Sequence, residues 1–237
     1  MSEFVLVHGA WHGAWCWEKV VPLLTARGHR VRAIDLPGHG RHPQPPGTVS
    51  WDDYMRRMGE VIAASAEPPI LVGHSLGGAV ITGAADRWPE RIRALVYLCA
   101  MLPDAPDFMT RFQPTSLLSE AMRPSSDGSA MELEPSVIRA AFYHDCSEAD
   151  AARAESLLRP QPAGAFQMSF ELAPGRFGRV PRHYVECLQD RAIDLASQRA
   201  MVAKMPCTVY TLDASHSPFF SMPGPLADVL DRVAEAT

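Results

Sequence analysis

Six short apolar runs, at residues 3–8, 30–35, 69–74, 94–99, 183–187 and 208–212, recur along a chain of 237 residues. They are brief and β-branched or apolar on both faces, which fits parallel strands covered by helices. The stretches 14–27, 50–66, 76–88, 195–204 and 225–236 carry helix signals at their ends. Ser50 stands before WDDYMRRM, Gly28 follows LLTAR, and Pro225 opens the last stretch. Alternation of this kind predicts an α/β fold: a doubly wound, mainly parallel sheet with right-handed crossovers. One gap breaks the rhythm. Residues 103–182, rich in Pro, Met, Ser and Phe, are too long for a loop between core strands and are expected to form an inserted helical lid. The core is then 1–102 with 183–237. Within the lid, DCSEADAARAESLLRPQP predicts a helix with Ser147 as its N-cap.

Composition narrows the function classes. The net charge is −5 with no dense Lys/Arg cluster, which argues against a nucleic-acid partner. No apolar stretch approaches the roughly 20 residues of a membrane span. The opening MSEFVLVHGAW reads as a strand rather than a targeting segment, so a cytoplasmic location is expected. Cys16, Cys99, Cys146, Cys187 and Cys207 are odd in number and scattered, without a CxxC pair, which speaks against a disulfide framework or a zinc site. A small molecule is the expected partner, and a homodimer stays open.

The stretch LVGHSLGGAV, residues 71–80, joins the third apolar run to a helix of small residues. A serine between glycines at a strand–turn–helix junction is forced into strained dihedrals, and its Oγ is lifted clear of the backbone. Side chains at Gly73 and Gly77 would collide across that turn. The helix that starts near Leu76 also aims free N–H groups and its positive end at the site. Ser75 is therefore the candidate nucleophile; a plain glycine-rich turn is the alternative.

A serine hydroxyl needs a base and an acid to orient that base. On a sheet of this kind the partners follow in the order Ser, Asp or Glu, His, each after a later strand. His216, in LDASHSPFF, lies just past the last predicted strand, whereas His183 opens one. For the acid, Asp190 follows the strand HYVECL, and Asp104 follows the strand ending at Cys99 and competes with it. Asp194 leads into a helix, where capping is the simpler job, and Asp213 is too close to His216 to fold back onto it. The oxyanion donors are expected to be Leu76 N–H and Ala10 N–H, with Gly9 permitting close backbone approach to the substrate. His8 and His12 are read as braces of that loop.

These residues carry a resemblance. FVLVHGAWHGAWCW, RAIDLPGHG, ILVGHSLGGAV, YVECLQDRAIDLASQRAMV and DASHSPFFSMP together resemble the α/β-hydrolases, in the small branch of plant methyl esterases, salicylate-binding esterases and hydroxynitrile lyases. The resemblance runs from residue 4 to about 223 and is loose in the lid. It implies a six-stranded core, a cap over the pocket and no cofactor, and it favours Asp190, which opens a D-x-x-I pattern ending at Ile193. The lyases of this branch carry Thr after the first-strand histidine and Lys after the catalytic one. Here those positions are Gly9 and Ser217, which points to an esterase.

The expected reaction is hydrolysis of a carboxylic ester of a hydrophobic or aromatic small molecule through an acyl-enzyme. Gly9, Trp11, His74, Phe108, Phe112, Phe142, Tyr143 and Phe219 are the candidate substrate contacts, with Phe166, Phe170 and nearby Met residues behind them. Three other readings stand beside it: a carbon–carbon bond hydrolase, a hydroxynitrile lyase-like enzyme, and a non-catalytic binder of a small ligand on the same scaffold.

Overall fold

The computed structural model of the chain describes residues 1–173 and 175–237. Its first part runs β1 (Glu3–Val7), α1 (Val20–Ala26), β2 (Arg30–Ile34), α2 (Trp51–Ala63), β3 (Ile70–His74), α3 (Leu76–Arg87) and β4 (Ala94–Leu98). After a long insertion it resumes as β8 (Arg182–Cys187), α8 (Leu195–Lys204), β9 (Thr208–Leu212), α9 (Pro218–Ser221) and α10 (Pro223–Ala236). The expected helix at 14–27 divides into a short 3₁₀ turn at Ala14–Trp17 and α1. Ser50 caps α2 through a reciprocal box with Asp53, Ser50 N–H donating to Oδ2 at 2.8 Å and Asp53 N–H to Ser50 Oγ at 3.2 Å.

Six strands form one parallel sheet in the order β2-β1-β3-β4-β8-β9. Strands β1, β3 and β4 are buried at every position, as near-continuous apolar strings between two helical layers must be. Helices α1 and α10 pack on each other, and α2 packs on α3. From β1 the chain steps outward to β2, then returns to β3 on the other side of β1. This reversal leaves a crevice at the carboxyl ends of β1 and β3, where doubly wound sheets place their ligands.

The insertion holds α4 (Phe108–Arg111), α5 (Ser116–Ala121), β5 (Met122–Pro124), β6 (Ala130–Leu133), α6 (Pro135–Phe142), α7 (Glu148–Leu157) and β7 (Gln161–Pro162). Ser147 caps α7, its Oγ accepting from Asp150 N–H at 3.2 Å. The insertion is not purely helical, because β5, β6 and β7 form a small antiparallel sheet. Strands this short are below the length at which alternation becomes readable. Among the described residues no helix is long and apolar enough to cross a membrane.

Candidate active site

The turn between β3 and α3 holds Ser75 at φ 53° and ψ −121°, in the left-handed half of backbone space that a side chain disfavours. Three backbone hydrogen bonds over-determine it. Ser75 N–H donates to Leu98 O at 3.3 Å, and Ser75 O accepts from Gly78 N–H and Met101 N–H, both at 3.0 Å. Strain of this kind costs on the order of 1–3 kcal/mol and persists only under such constraint. A Cβ on Gly73 would run into the Gly77 carbonyl, so the turn cannot close around a larger residue. Leu76 opens α3, and its N–H has no helical carbonyl one turn back to bond.

Past β1, two histidines pin the loop that carries Ala10. His8 Nδ1 donates to Gly9 O at 2.8 Å while its Nε2 accepts from Leu36 N–H at 3.1 Å. His12 Nδ1 donates to Ala10 O at 2.8 Å, and its Nε2 accepts from Tyr143 Oη at 2.7 Å. Both rings are fully spoken for and neutral: burial pushes His8 down to about 4 and His12 down to about 3. Ala10 N–H donates to no described residue, and Ala10, Ser75 and Leu76 line one cavity.

The loops after β8 and β9 bring Asp190 and His216 together. His216 Nδ1 donates to Asp190 Oδ2 at 2.7 Å, and both residues are buried. Asp190 Oδ1 accepts from Ala192 N–H at 2.7 Å and Ile193 N–H at 3.0 Å. With its proton on Nδ1, the imidazole keeps a lone pair on Nε2. Ser75 Oγ and His216 Nε2 are not hydrogen-bonded to each other, a looseness common before substrate tightens a site. The other acids lie elsewhere. Asp104 pairs with Arg111 at 2.8 Å and Lys204 at 3.8 Å. Asp194 caps α8 by accepting from Ser197 N–H at 2.7 Å, and Asp213 accepts from Gln189 Nε2 at 2.8 Å. His183 lies at the amino end of β8, the edge of the sheet away from Ser75.

Two supports carried no sequence signal. Gln198, fully buried on α8, donates from Nε2 to Ile193 O at 2.7 Å, Cys187 O at 3.2 Å and Asp190 Oδ2 at 3.4 Å. Its Oε1 accepts from Cys187 N–H at 3.0 Å, so one carboxamide closes the loop that bears Asp190. From the insertion, Asp145 accepts from Ser215 N–H at 2.8 Å and from Ser215 Oγ, directly beside His216. Burial alone would raise the Asp145 carboxyl, but the Ser215 hydrogen bonds outweigh it and hold it below the usual carboxylate range.

His74, Cys99 and His216 each place a potential metal-ligating atom within 4.8 Å of the others. Their bonding explains the cluster without an ion. His74 Nε2 donates to His216 O at 2.8 Å and Cys99 Sγ donates to the same oxygen at 3.5 Å, which ties the His216 loop to the residue preceding Ser75.

The cavity measures about 450 Å³ and is mainly apolar, with Met101, Met109, Met122 and Met131 beside Leu118, Phe166 and Ile193. Of the candidate substrate contacts, Trp11 and Phe112 line it. The rest are placed elsewhere, each for a packing reason. Gly9 lies beneath Ser75, where a Cβ would come within 2.8 Å of the serine Cβ. His74 is spent on the His216 carbonyl, and burial beside His216 and His12 holds its pKa well below the ordinary value. Phe142 packs on His216 with ring centroids 5.4 Å apart, Tyr143 serves His12, and Phe219 packs edge-on against His74 at 4.9 Å. Phe108 faces a separate pocket toward Asp104 and Lys204.

A doubly wound sheet with a strained serine at its switch point and a buried His–Asp pair beside it defines a hydrolase class. The chain belongs to the alpha/beta hydrolase family, whose model matches residues 4–229. It is 33% identical over 256 residues to esterase PIR7B of Oryza sativa subsp. japonica, covering 98% of this chain and 96% of that one. It is 34% identical over 254 residues to a pyrethroid hydrolase of Sphingobium wenxiniae, covering 100% and 89% of the two chains. Its structure superposes on that of a pyrethroid hydrolase from Sphingobium faniae with a TM-score of 0.90 at 32% identity, over 99% of this chain and 98% of that chain.

Proposed function

We propose that this hydrolase is a serine esterase that cleaves carboxylic esters of hydrophobic or aromatic small molecules. One constellation carries the reading: Ser75 shares a cavity with the Ala10 and Leu76 amides, while the Asp190-bound His216 is tied through His74 to the same turn. Its relatives bear the names esterase and pyrethroid hydrolase.

His216 Nε2 takes the proton from Ser75 Oγ as that oxygen attacks the ester carbonyl, and Asp190 holds the imidazole in the Nδ1–H tautomer. The Ala10 and Leu76 N–H groups form the oxyanion hole and bind the tetrahedral oxygen; each such donor is worth on the order of 3 kcal/mol. His216 returns the proton to the leaving alcohol, and water then resolves the acyl-enzyme by the same steps. No metal or cofactor is needed for any of them. Residues 103–182 act as a lid that supplies the apolar wall of the pocket, and its methionines let that wall adapt to shape. The five free cysteines suit a reducing compartment, which supports a cytoplasmic location for the enzyme.

The test is hydrolysis of p-nitrophenyl esters by the wild type and Ser75→Ala. The wild type should turn over, and the variant should lose a factor on the order of 10⁶ in kcat. Equal turnover by both would overturn the proposal.

A further inference from the structure

Trp11 borders two cavities. On one side lies the cavity of about 450 Å³ that holds Ser75. On the other lies a pocket of about 240 Å³ walled by Leu133, Ile138, Leu158 and Pro160, with Glu132, Glu155 and Arg159 also on its lining. The strand β6 runs past both: Met131 faces the first cavity and Leu133 the second. Residues two apart on a strand share one face. One face of β6 therefore runs from the first space to the second, Glu132 on the alternate face also reaching the second, and Trp11 borders both.

The indole is fixed there. Its Nε1 donates to Met131 O at 2.8 Å, and its ring packs 6.0 Å from that of Phe142. The backbone is fixed as well. Trp11 holds φ at +63°, a region that L side chains disfavour; its N–H donates to Gln161 Oε1 at 3.2 Å and its carbonyl accepts from Arg159 N–H at 2.9 Å. The residue is 6% exposed, so the ring is held within the protein where it borders both cavities rather than swinging into solvent.

We infer that Trp11 is the wall that sets the length of substrate the site accepts, and that the pocket behind it is a latent subsite for the distal alkyl or aryl end of a longer ester. Ala10, the neighbouring residue, places this wall one residue from the oxyanion donor, so the chain it stops is the one leading away from the reacting carbonyl. The enzymatic readout rests on the esterase reading; the wall itself does not.

The experiment compares wild type, Trp11→Ala, Trp11→Leu and Trp11→Phe on p-nitrophenyl esters from acetate to palmitate. Melting temperatures check folding, and Trp11→Leu carries the test if Trp11→Ala fails to fold. The ratio of kcat/KM for the longest ester to that for the shortest should rise about tenfold or more in Trp11→Ala, less in Trp11→Leu, and stay within about twofold in Trp11→Phe. An unchanged ratio in a folded Trp11→Ala or Trp11→Leu overturns the proposal. If the wild type hydrolyses no ester, the esterase reading fails on its own. The wall is then judged by calorimetric binding of free fatty acids, where long chains should gain about tenfold in affinity in Trp11→Ala relative to wild type. No gain overturns it.

Discussion

Asp190 Oδ2 receives the Nδ1–H of His216 at 2.7 Å across 26 residues of chain. The carboxylate is fixed on its other oxygen by two backbone amides, so it presents a set orientation to the ring. Asp190→Asn would present a donor to Nδ1 and favour the wrong tautomer. Turnover should fall by on the order of 10⁴. Asp104→Asn, at a carboxylate spent on Arg111 and Lys204, should change kcat by less than about threefold. Steady-state kinetics of the two variants decide between these acids, and the opposite ranking would reassign the acid.

Gln198→Leu removes the carboxamide that closes the Asp190 loop. It orphans Cys187 N–H and the Ile193 carbonyl, at a cost of about 1–3 kcal/mol each if they stay buried. The loop should drift, and kcat should fall by about 10²-fold with KM little changed. Urea denaturation and the split between kcat and KM check both halves. A variant of native kcat would confine Gln198 to stability.

The buried histidines give the pH dependence of stability. His8 and His12 are pushed down by burial to about 4 and about 3, and burial also holds His39 and His74 well below their ordinary value. Unfolded, these rings protonate near pH 6.5. Between that value and the depressed folded ones, the unfolded chain binds more protons. Stability is therefore complete above about pH 6.5 and is lost as the pH falls, by up to about 1.4 kcal/mol per pH unit for each ring. Urea titrations at about pH 7 and about pH 5 should show a marked loss at the lower pH. A flat profile would mean that these rings ionise without unfolding.

The sheet was legible because its central strands β1, β3 and β4 are apolar and buried on both faces, and the turn at Ser75 because glycines bracket it between a strand and a helix. The choice between Asp190 and Asp104 was harder to read, since both follow core strands. Only the fold brings Arg111 and Lys204 onto Asp104 and leaves Asp190 to His216. Gln198 was silent because most of its partners are backbone groups, which leave no mark on side-chain patterns. The aromatics are ambiguous for another reason. An apolar residue near a motif loop can wall the cavity, as Phe112 does, or pack behind the loop, as Phe142 and Phe219 do, and composition looks the same in both cases.

The central claim is that Ser75 is a nucleophile activated by His216, and a fluorophosphonate tests it most directly because phosphonylation needs the activated oxygen. Intact mass and peptide mapping of the wild type should show a single adduct, on the peptide carrying Ser75. Labelling should be abolished in Ser75→Ala and slowed by orders of magnitude in His216→Ala. An adduct that persists in Ser75→Ala, or a folded wild type that takes up no label, would contradict the account.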